Sequence, residues 1–413
     1  MVKVQKDWPL QKRPKHGCLM LMHHMAVRPD GRIFPCCIFR HDYVPKDLTI
    51  ELEDPFNHPF MLQNRKDVKL DKPIPGCSKC YHDEKVTGKS MRTEVSGYAQ
   101  SFLKMPKDRN ILGKNGLLTN IDITFSNVCN QKCRMCGPEL STQWYSDAKK
   151  MGYPFQHRGI ISNNWLKSTD FSNMTFIKIL GGEPLMEQDK IIELLKGCNR
   201  SNLTVHITTN ASLKPNEELL ELLLECDDVF YTLSIDQHGE LNNFLRKNSD
   251  WKIANETLDW AIDTFGKGYV TIHSAISIYN VNKCNELIKF ALDKKVYQKS
   301  VIVDGPNWMM PRHLPTSVKK HLQDMCKENQ KTLKEKMPHL SVINNCTQLF
   351  DNLIDELDQE GDFGMFLRND TRMNVIRNEH WKDLNPWLWK MIQPYIEHTQ
   401  LEPGQLNYLK SLT

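Results

Sequence analysis

The stretch Ser126-Asn127-Val128-Cys129-Asn130-Gln131-Lys132-Cys133-Arg134-Met135-Cys136-Gly137-Pro138 places three thiols at the spacing C-x3-C-x2-C. Three thiolates on one short loop can bind three irons of a cubane cluster and leave the fourth iron without a protein ligand. A structural zinc site wants four ligands, and an electron-transfer ferredoxin site also uses four cysteines. No fourth Cys or His lies within a few residues of the triplet. The loop therefore reads as a cluster site with one iron open to chemistry; a zinc loop completed by a distant residue is the bland alternative.

The loop follows LTNIDITFS (118–126), a β-rich run, and precedes an amphipathic stretch near 139–150. Further strand candidates are MTFIKIL (174–180), NLTVHITTN (202–210), DVFYTLSID (228–236), YVTIHSAISIY (269–279) and KSVIVDG (299–305), with helical patterns such as 189–198 and 216–226 between them. Six β-α units in series predict an α/β fold with a parallel sheet, open or partly closed as a (β/α)6 barrel. Beyond Pro311 the strand signals stop, and 315–340 and 346–413 read as helical. The first 105 residues are dense in Pro, His and Cys and broken by turns such as Pro29-Asp30-Gly31. The division expected is 1–105, a small Cys-rich α+β module; 106–310, the partial barrel; and 311–413, a helical extension.

A chain of 413 residues with a net charge of +4 can bury a real core without disulfides, and its charge is too small to make nucleic acid the main partner. The basic first seventeen residues read as a solvated arm. No run approaches the ~18 apolar residues a membrane span needs, and no secretory segment opens the chain, so the cytoplasm is the expected location. Thirteen cysteines in a reducing compartment point to metal or redox chemistry.

Two of these clusters lie in the N-terminal module. A turn over Arg28 to Pro35 would return Cys36 and Cys37 toward Cys18, and Cys77-Ser78-Lys79-Cys80 adds a corner with two more thiols. Four thiolates brought together there could hold zinc or an iron-sulfur cluster. His23 and His24, in the strand-like run LMLMHHM, read as packing or surface residues. Cys37, Cys198, Cys226, Cys284, Cys326 and Cys346 are scattered and read as small buried hydrophobes.

Cysteines at C-x3-C-x2-C after the first strand of a β-α series resemble the radical S-adenosylmethionine (SAM) superfamily. The resemblance implies a 4Fe-4S cluster on Cys129, Cys133 and Cys136 whose open iron chelates the amino and carboxylate groups of SAM. Reduction then splits SAM to methionine and a 5'-deoxyadenosyl radical, which abstracts hydrogen from a substrate. The family's usual aromatic residue before the last cysteine is here Met135, whose thioether can make a comparable soft contact with adenine. Gly181-Gly182-Glu183-Pro184, at the end of the second strand, resembles the family motif that binds the SAM amino group, a glycine pair allowing close backbone approach. Asn210, Ser234, Asp236 and Arg246 stand at or after strand ends where the family contacts the ribose and the methionine carboxylate. Ser277, Tyr279 and Asn280 are candidates by location alone.

The pattern C-x12-G-x4-C followed by C-x2-C resembles the SPASM/twitch module, which carries an auxiliary 4Fe-4S cluster in radical SAM enzymes that act on peptides. The resemblance implies Cys18, Cys36, Cys77 and Cys80 as ligands, the glycine spacing favouring Cys36 over Cys37. Here the module precedes the barrel, the inverse of the usual order, and Cys77 to Arg92 resembles an uncharacterised group with such an N-terminal module, several of them phage-encoded. These resemblances imply an enzyme of oxidoreductase or peptide-modifying type, a peptide or protein substrate, and an electron donor such as flavodoxin or ferredoxin. The competing reading is a non-catalytic zinc protein that contacts nucleic acid or a protein partner, with the C-terminal helices a lid or docking surface in the enzyme reading.

Overall fold

The computed structural model describes residues 16–88, 90–93, 116–155, 159–336 and 342–412. Nearly all of the basic N-terminal arm, the expected boundary at 105/106 and the last few residues of the expected 315–340 helix lie outside them. The chain divides into two compact units: Met1–Asn127 with Arg158–Thr208 and Pro215–Phe230, and Val128–His157 with Thr209–Lys214 and Tyr231–Thr413.

In the first unit β1 (His24–Val27) and β2 (Ile33–Phe34) form the expected antiparallel hairpin, Ala26 opposite Phe34. Its turn runs through Gly31 at φ +76°, a left-handed conformation suited to glycine. The run LMLMHHM is only partly strand: Met20–His23 is one helical turn, and β1 starts at His24. β1 lies parallel to β3 (Asn120–Thr124), β3 to β4 (Phe176–Leu180), and β4 to β5 (Thr204–Thr209). Ile121, Ile123, Ile177, Ile179, Val205 and Ile207 are fully buried, while the alternate positions Asp122, Lys178 and His206 pair across the strands in one register row. That is the period of two that a strand imposes on its side chains. The Cys77-x-x-Cys80 segment opens helix α1 (Ser78–Thr87), which Gly88 ends at φ +72°.

In the second unit β6 (Asp228–Ser234) pairs in parallel with β7 (Val270–Ile276), and β7 with β8 (Tyr297–Ile302). The ends of β3 to β8 fall within three residues of those expected from the sequence, and the α/β class with parallel pairing is observed. α2 (Tyr145–Met151) follows the three-cysteine loop. The C-terminal region is helical as expected, in Thr316–Lys336, Val342–Asp358, α3 (Phe363–Arg377), Pro386–Ile396 and Pro403–Leu412. Helix α3 is started by Asp362, whose carboxylate accepts from Met365 N at 3.0 Å, and stopped by Asn378 at φ 48°.

The core of this unit is aromatic at its centre. Trp381 and Tyr279 are fully buried and meet edge to face, ring centres 5.5 Å apart, and Trp381 meets Trp389 at 5.2 Å. Such contacts add to the burial of large apolar surface. Trp381→Ala should therefore lower the free energy of unfolding by about 3–5 kcal/mol, read as a shift of the urea midpoint at unchanged slope.

Candidate metal centres

The three-cysteine loop has no helix or strand of its own between Cys129 and Cys136, so its shape is imposed from outside. Lys132 N donates to Lys247 O at 3.0 Å and Arg134 N to Leu245 O at 2.8 Å, a pair of backbone bonds that brackets Cys133. Trp144 Nε1 donates to the Cys133 carbonyl at 2.8 Å. Around the sulfurs, Arg246 Nη1 stands 3.8 Å from Cys133 Sγ, and Asn210 Nδ2 3.7 Å from Cys129 Sγ. Hydrogen bonding from Cys136, and then the Arg246 charge, hold the Cys133 thiol below its ordinary range. The same bond and burial push Cys136 up. The loop therefore favours one thiolate before any metal arrives, as expected for sulfur beside a fixed cation.

Arg246 is itself held by Asp236, which is wholly buried: Nη2 donates to Oδ1 at 3.1 Å and Nε lies 2.8 Å from Oδ2. Asp236 also accepts from Ala275 N at 2.8 Å, and Asn280 Nδ2 donates to the Asp236 carbonyl at 2.9 Å. Asp236 and Arg246 thus form one fork beside Cys133, and the carboxylate that the guanidinium meets in this structure is a protein one. Asn210 precedes Ala211, which is buried and left-handed at φ 65°, a conformation that costs a non-glycine residue about 1–2 kcal/mol. Ser234, at the end of β6, and Met135 are half-buried. Ser277 N bonds the side chain of Asn280 at 2.8 Å, and the Tyr279 hydroxyl donates to Asp370 at 2.6 Å; these polar groups are spent inside the protein.

Gly181 to Pro184 belong to the first unit. Gly182 N donates to Ser126 O at 3.1 Å, and a Cβ on Gly181 would stand 3.3 Å from that same oxygen. The glycine pair therefore lets the end of β4 close on the residue that follows β3. Glu183 is buried, and its Oε1 caps the next turn by accepting from Leu185 N at 3.1 Å.

The N-terminal cysteines gather as a set. Cys18, Cys36, Cys77 and Cys80 line one cavity of about 370 Å³, its open mouth included, whose wall also holds Phe39 and Arg92. Cys37 is not in that wall; its sulfur turns to Met91 Sδ at 3.7 Å. Gly76 makes room for the set, since a Cβ there would fall 2.0 Å from the Phe39 ring. Arg92 ties the cavity's edges together, donating to Gly17 O at 3.0 Å and to Glu84 on α1 at 2.9 Å. Burial, reinforced by the neighbouring thiols, pushes Cys77 up to about 12. Cys18 is raised by burial to about 11, and Cys36 and Cys80 are raised too. Buried thiols that oppose one another's ionisation are the donor set that a positively charged metal core relieves. Among the described residues no three His, Cys, Asp or Glu side chains are grouped as a single ion would require; the four thiols surround a volume instead.

The remaining residues divide. His23 and His24 are both buried, so neither is a surface residue: His23 Nδ1 lies 2.9 Å from Leu117 O, and His24 Nε2 3.4 Å from Asp122. Cys198, Cys284, Cys326 and Cys346 are buried as expected, whereas Cys37 and Cys226 are only half-buried. The sequence reading missed the side chains that hold the three-cysteine loop from behind: Arg134, Asp147, Asp370, Asn374 and Arg377. The signal available was the recurrence of Asp370, Asn374 and Arg377 at i, i+4 and i+7 in an otherwise mixed helix.

Residues 123–291 match the family model described as the radical SAM superfamily. This stretch, which contains the three-cysteine loop, Gly181 to Pro184, Asn210 and Arg246, therefore carries a radical SAM superfamily domain. No curated protein matches the chain. Among solved structures it is similar to anSMEcpe with bound AdoMet and a Cp18Cys peptide, at 17% identity over 52% of this chain and 61% of that one, TM-score 0.36. It is also similar to Streptococcus suis SuiB bound to S-adenosylmethionine, at 17% identity over 65% and 61% of the two chains, TM-score 0.38. A third is TYW1 with a lysine-pyruvate adduct bound, at 14% identity over 62% and 80%, TM-score 0.34. The chain thus spans about three fifths of the length of the first two.

Burial pushes the thiols of Cys198 and Cys326 up to about 12, so both are protonated near neutrality. In the folded chain at pH 8 their alkylation by iodoacetamide should be at least ~1000-fold slower than that of a free thiol, from the thiolate fractions alone. The rate should rise about tenfold per pH unit while the fold holds; peptide mass spectrometry reads the ratio.

Proposed function

We propose that this chain is a radical SAM enzyme in which Cys129, Cys133 and Cys136 hold a 4Fe-4S cluster with one iron left for SAM, and in which Cys18, Cys36, Cys77 and Cys80 hold an auxiliary 4Fe-4S cluster of the SPASM/twitch kind. When reduced, the first cluster supplies the electron that splits SAM into methionine and a 5'-deoxyadenosyl radical, which takes a hydrogen atom from the substrate. The observation that carries the reading is the buried three-thiol loop with Arg246 beside one sulfur and Asn210 beside another, inside the stretch that matches the superfamily.

The roles of the surrounding residues follow from their chemistry. Asp236 fixes the Arg246 guanidinium in one plane, so that Arg246 can keep negative charge near Cys133 compensated. Asn210 and Ser234 offer neutral hydrogen-bonding groups of the size a ribose needs, and Met135 a soft apolar contact for adenine. Gly181 to Pro184 form a turn whose glycine pair permits close backbone approach, with the Glu183 carboxylate as the acceptor for an ammonium group.

With four protein thiolates, the auxiliary cluster would have no open iron, which favours electron relay over direct anchoring of substrate. The substrate class proposed is a peptide or protein side chain, with flavodoxin or ferredoxin as electron donor and the cytoplasm as location. Among the described residues no helix is long and apolar enough to cross a membrane.

The test is anaerobic reconstitution followed by incubation with SAM and dithionite. The expected result is a brown protein containing iron in excess of zinc, and 5'-deoxyadenosine by liquid chromatography and mass spectrometry. Zinc in the three-cysteine loop would overturn the reading in favour of a zinc protein, and an iron-loaded chain that leaves SAM intact would overturn it as a SAM-cleaving enzyme. Replacing Cys129, Cys133 and Cys136 together by Ala should abolish SAM cleavage and leave roughly half of the iron, as expected for two cubanes of equal size. Cys77→Ala with Cys80→Ala should remove the other half.

A further inference from the structure

The residues on either side of Cys133 are anchored to a single face of α3, far along the chain. Arg134, wholly buried, directs its guanidinium to Asn374 Oδ1 at 2.5 Å, Glu379 Oε1 at 2.7 Å and the Tyr279 hydroxyl at 3.3 Å, with Asp370 Oδ1 3.6 Å away. Its plane lies 3.8 Å from the centre of the Phe244 ring. Lys132 reaches the same helix indirectly: its Nζ donates to Asp147 Oδ1 at 3.0 Å, and Arg377 Nε donates to Asp147 Oδ2 at 2.8 Å. Arg377 also covers the Trp144 ring at 4.6 Å, and that indole holds the Cys133 carbonyl.

Asp370, Asn374 and Arg377 are buried at successive helical turns, which puts them on one stripe of α3. A stripe of buried ionic groups is an expensive way to pack a helix, because each charge must be desolvated and geometry must compensate. Apolar residues would hold the helix as well. What a charged stripe adds is direction: a planar five-donor fork has few orientations that satisfy it, so it fixes the loop peptide that carries it.

We infer that Asp370, Asn374 and Arg377 are positioning residues for the SAM-cleaving centre, acting through Arg134, Asp147 and Trp144 to fix the Cys133 peptide and hence the spacing of the three sulfurs. The C-terminal helices, at least at α3, are then a wall of the centre and not a lid over it. This inference rests on the cluster assignment proposed above. Outer groups that orient metal ligands typically change metal affinity by about 10- to 100-fold when removed.

The experiment compares the full-length wild type with Asp370→Asn, Arg134→Lys and Arg377→Lys, each reconstituted anaerobically and each checked by circular dichroism and thermal unfolding as the apo chain. Iron bound to the three-cysteine loop is titrated at limiting iron and sulfide, and electron paramagnetic resonance of the reduced protein is recorded with and without SAM. The expected result is a native-like apo fold, iron retention weakened by about 10-fold or more in Asp370→Asn and Arg134→Lys, and loss of the SAM-induced change in the remaining signal. Wild-type iron retention together with a wild-type SAM-induced change in those two variants would overturn the inference, leaving the stripe a packing device only. Should Asp370→Asn fail to fold, Arg377→Lys, on the same stripe, decides, since it keeps the positive charge and removes the planar fork that meets Asp147 and Trp144: a weakened, SAM-insensitive cluster supports the inference and an unchanged one overturns it. A wild type that takes up no iron at all defeats the cluster assignment itself, and the parallel wild-type sample separates that outcome from the others.

Discussion

Three sulfurs held on one loop repel one another as they ionise, and a loop without helix or strand cannot resist that by itself. The groups packed around the central cysteine answer this constraint. Backbone bonds from Leu245 and Lys247 bracket the central cysteine, and Arg246, the residue between them, brings a cation to its sulfur. Asp236 in turn keeps that cation from turning away. Asp236 follows the end of β6, and Leu245 to Lys247 lie at and just after the end of the next helix, Glu240–Leu245.

The four N-terminal thiols meet the same difficulty with different means. They lie on three separate pieces of chain: Cys18 two residues before the helical turn Met20–His23, Cys36 two residues after β2, and Cys77 and Cys80 at the start of α1. Burial and mutual repulsion raise their thiols, and Arg92 spans two of the pieces. The apo arrangement is thus electrostatically unsatisfied at one centre and already compensated by a protein cation at the other.

Much of this was legible in the sequence because it is periodic or spaced. Alternation marked the strands: the apolar Ile121 and Ile123 share one face, and Asp122, also buried, lies between them on the other. Spacing gave Cys36 its place in the cavity over its neighbour Cys37. His23 and His24 were harder, because a histidine pair in an apolar run is compatible with either face; the carbonyls that meet their buried rings, at Leu117 and Pro35, lie outside the run. The stripe on α3 was illegible for a plainer reason. Hydrophobic periodicity assigns polar residues to solvent, so Asp370, Asn374 and Arg377 read as a wet face until their partners at Arg134 and Asp147 are seen.

One missing carbon atom sets the size of the N-terminal chamber. The ring of Phe39 occupies the volume that any side chain at position 76 would need, and both residues stand in the chamber wall. Enlarging residue 76 by even a methyl would force that ring out of its place in the wall, so the shape of the chamber is governed by a position that carries no donor atom.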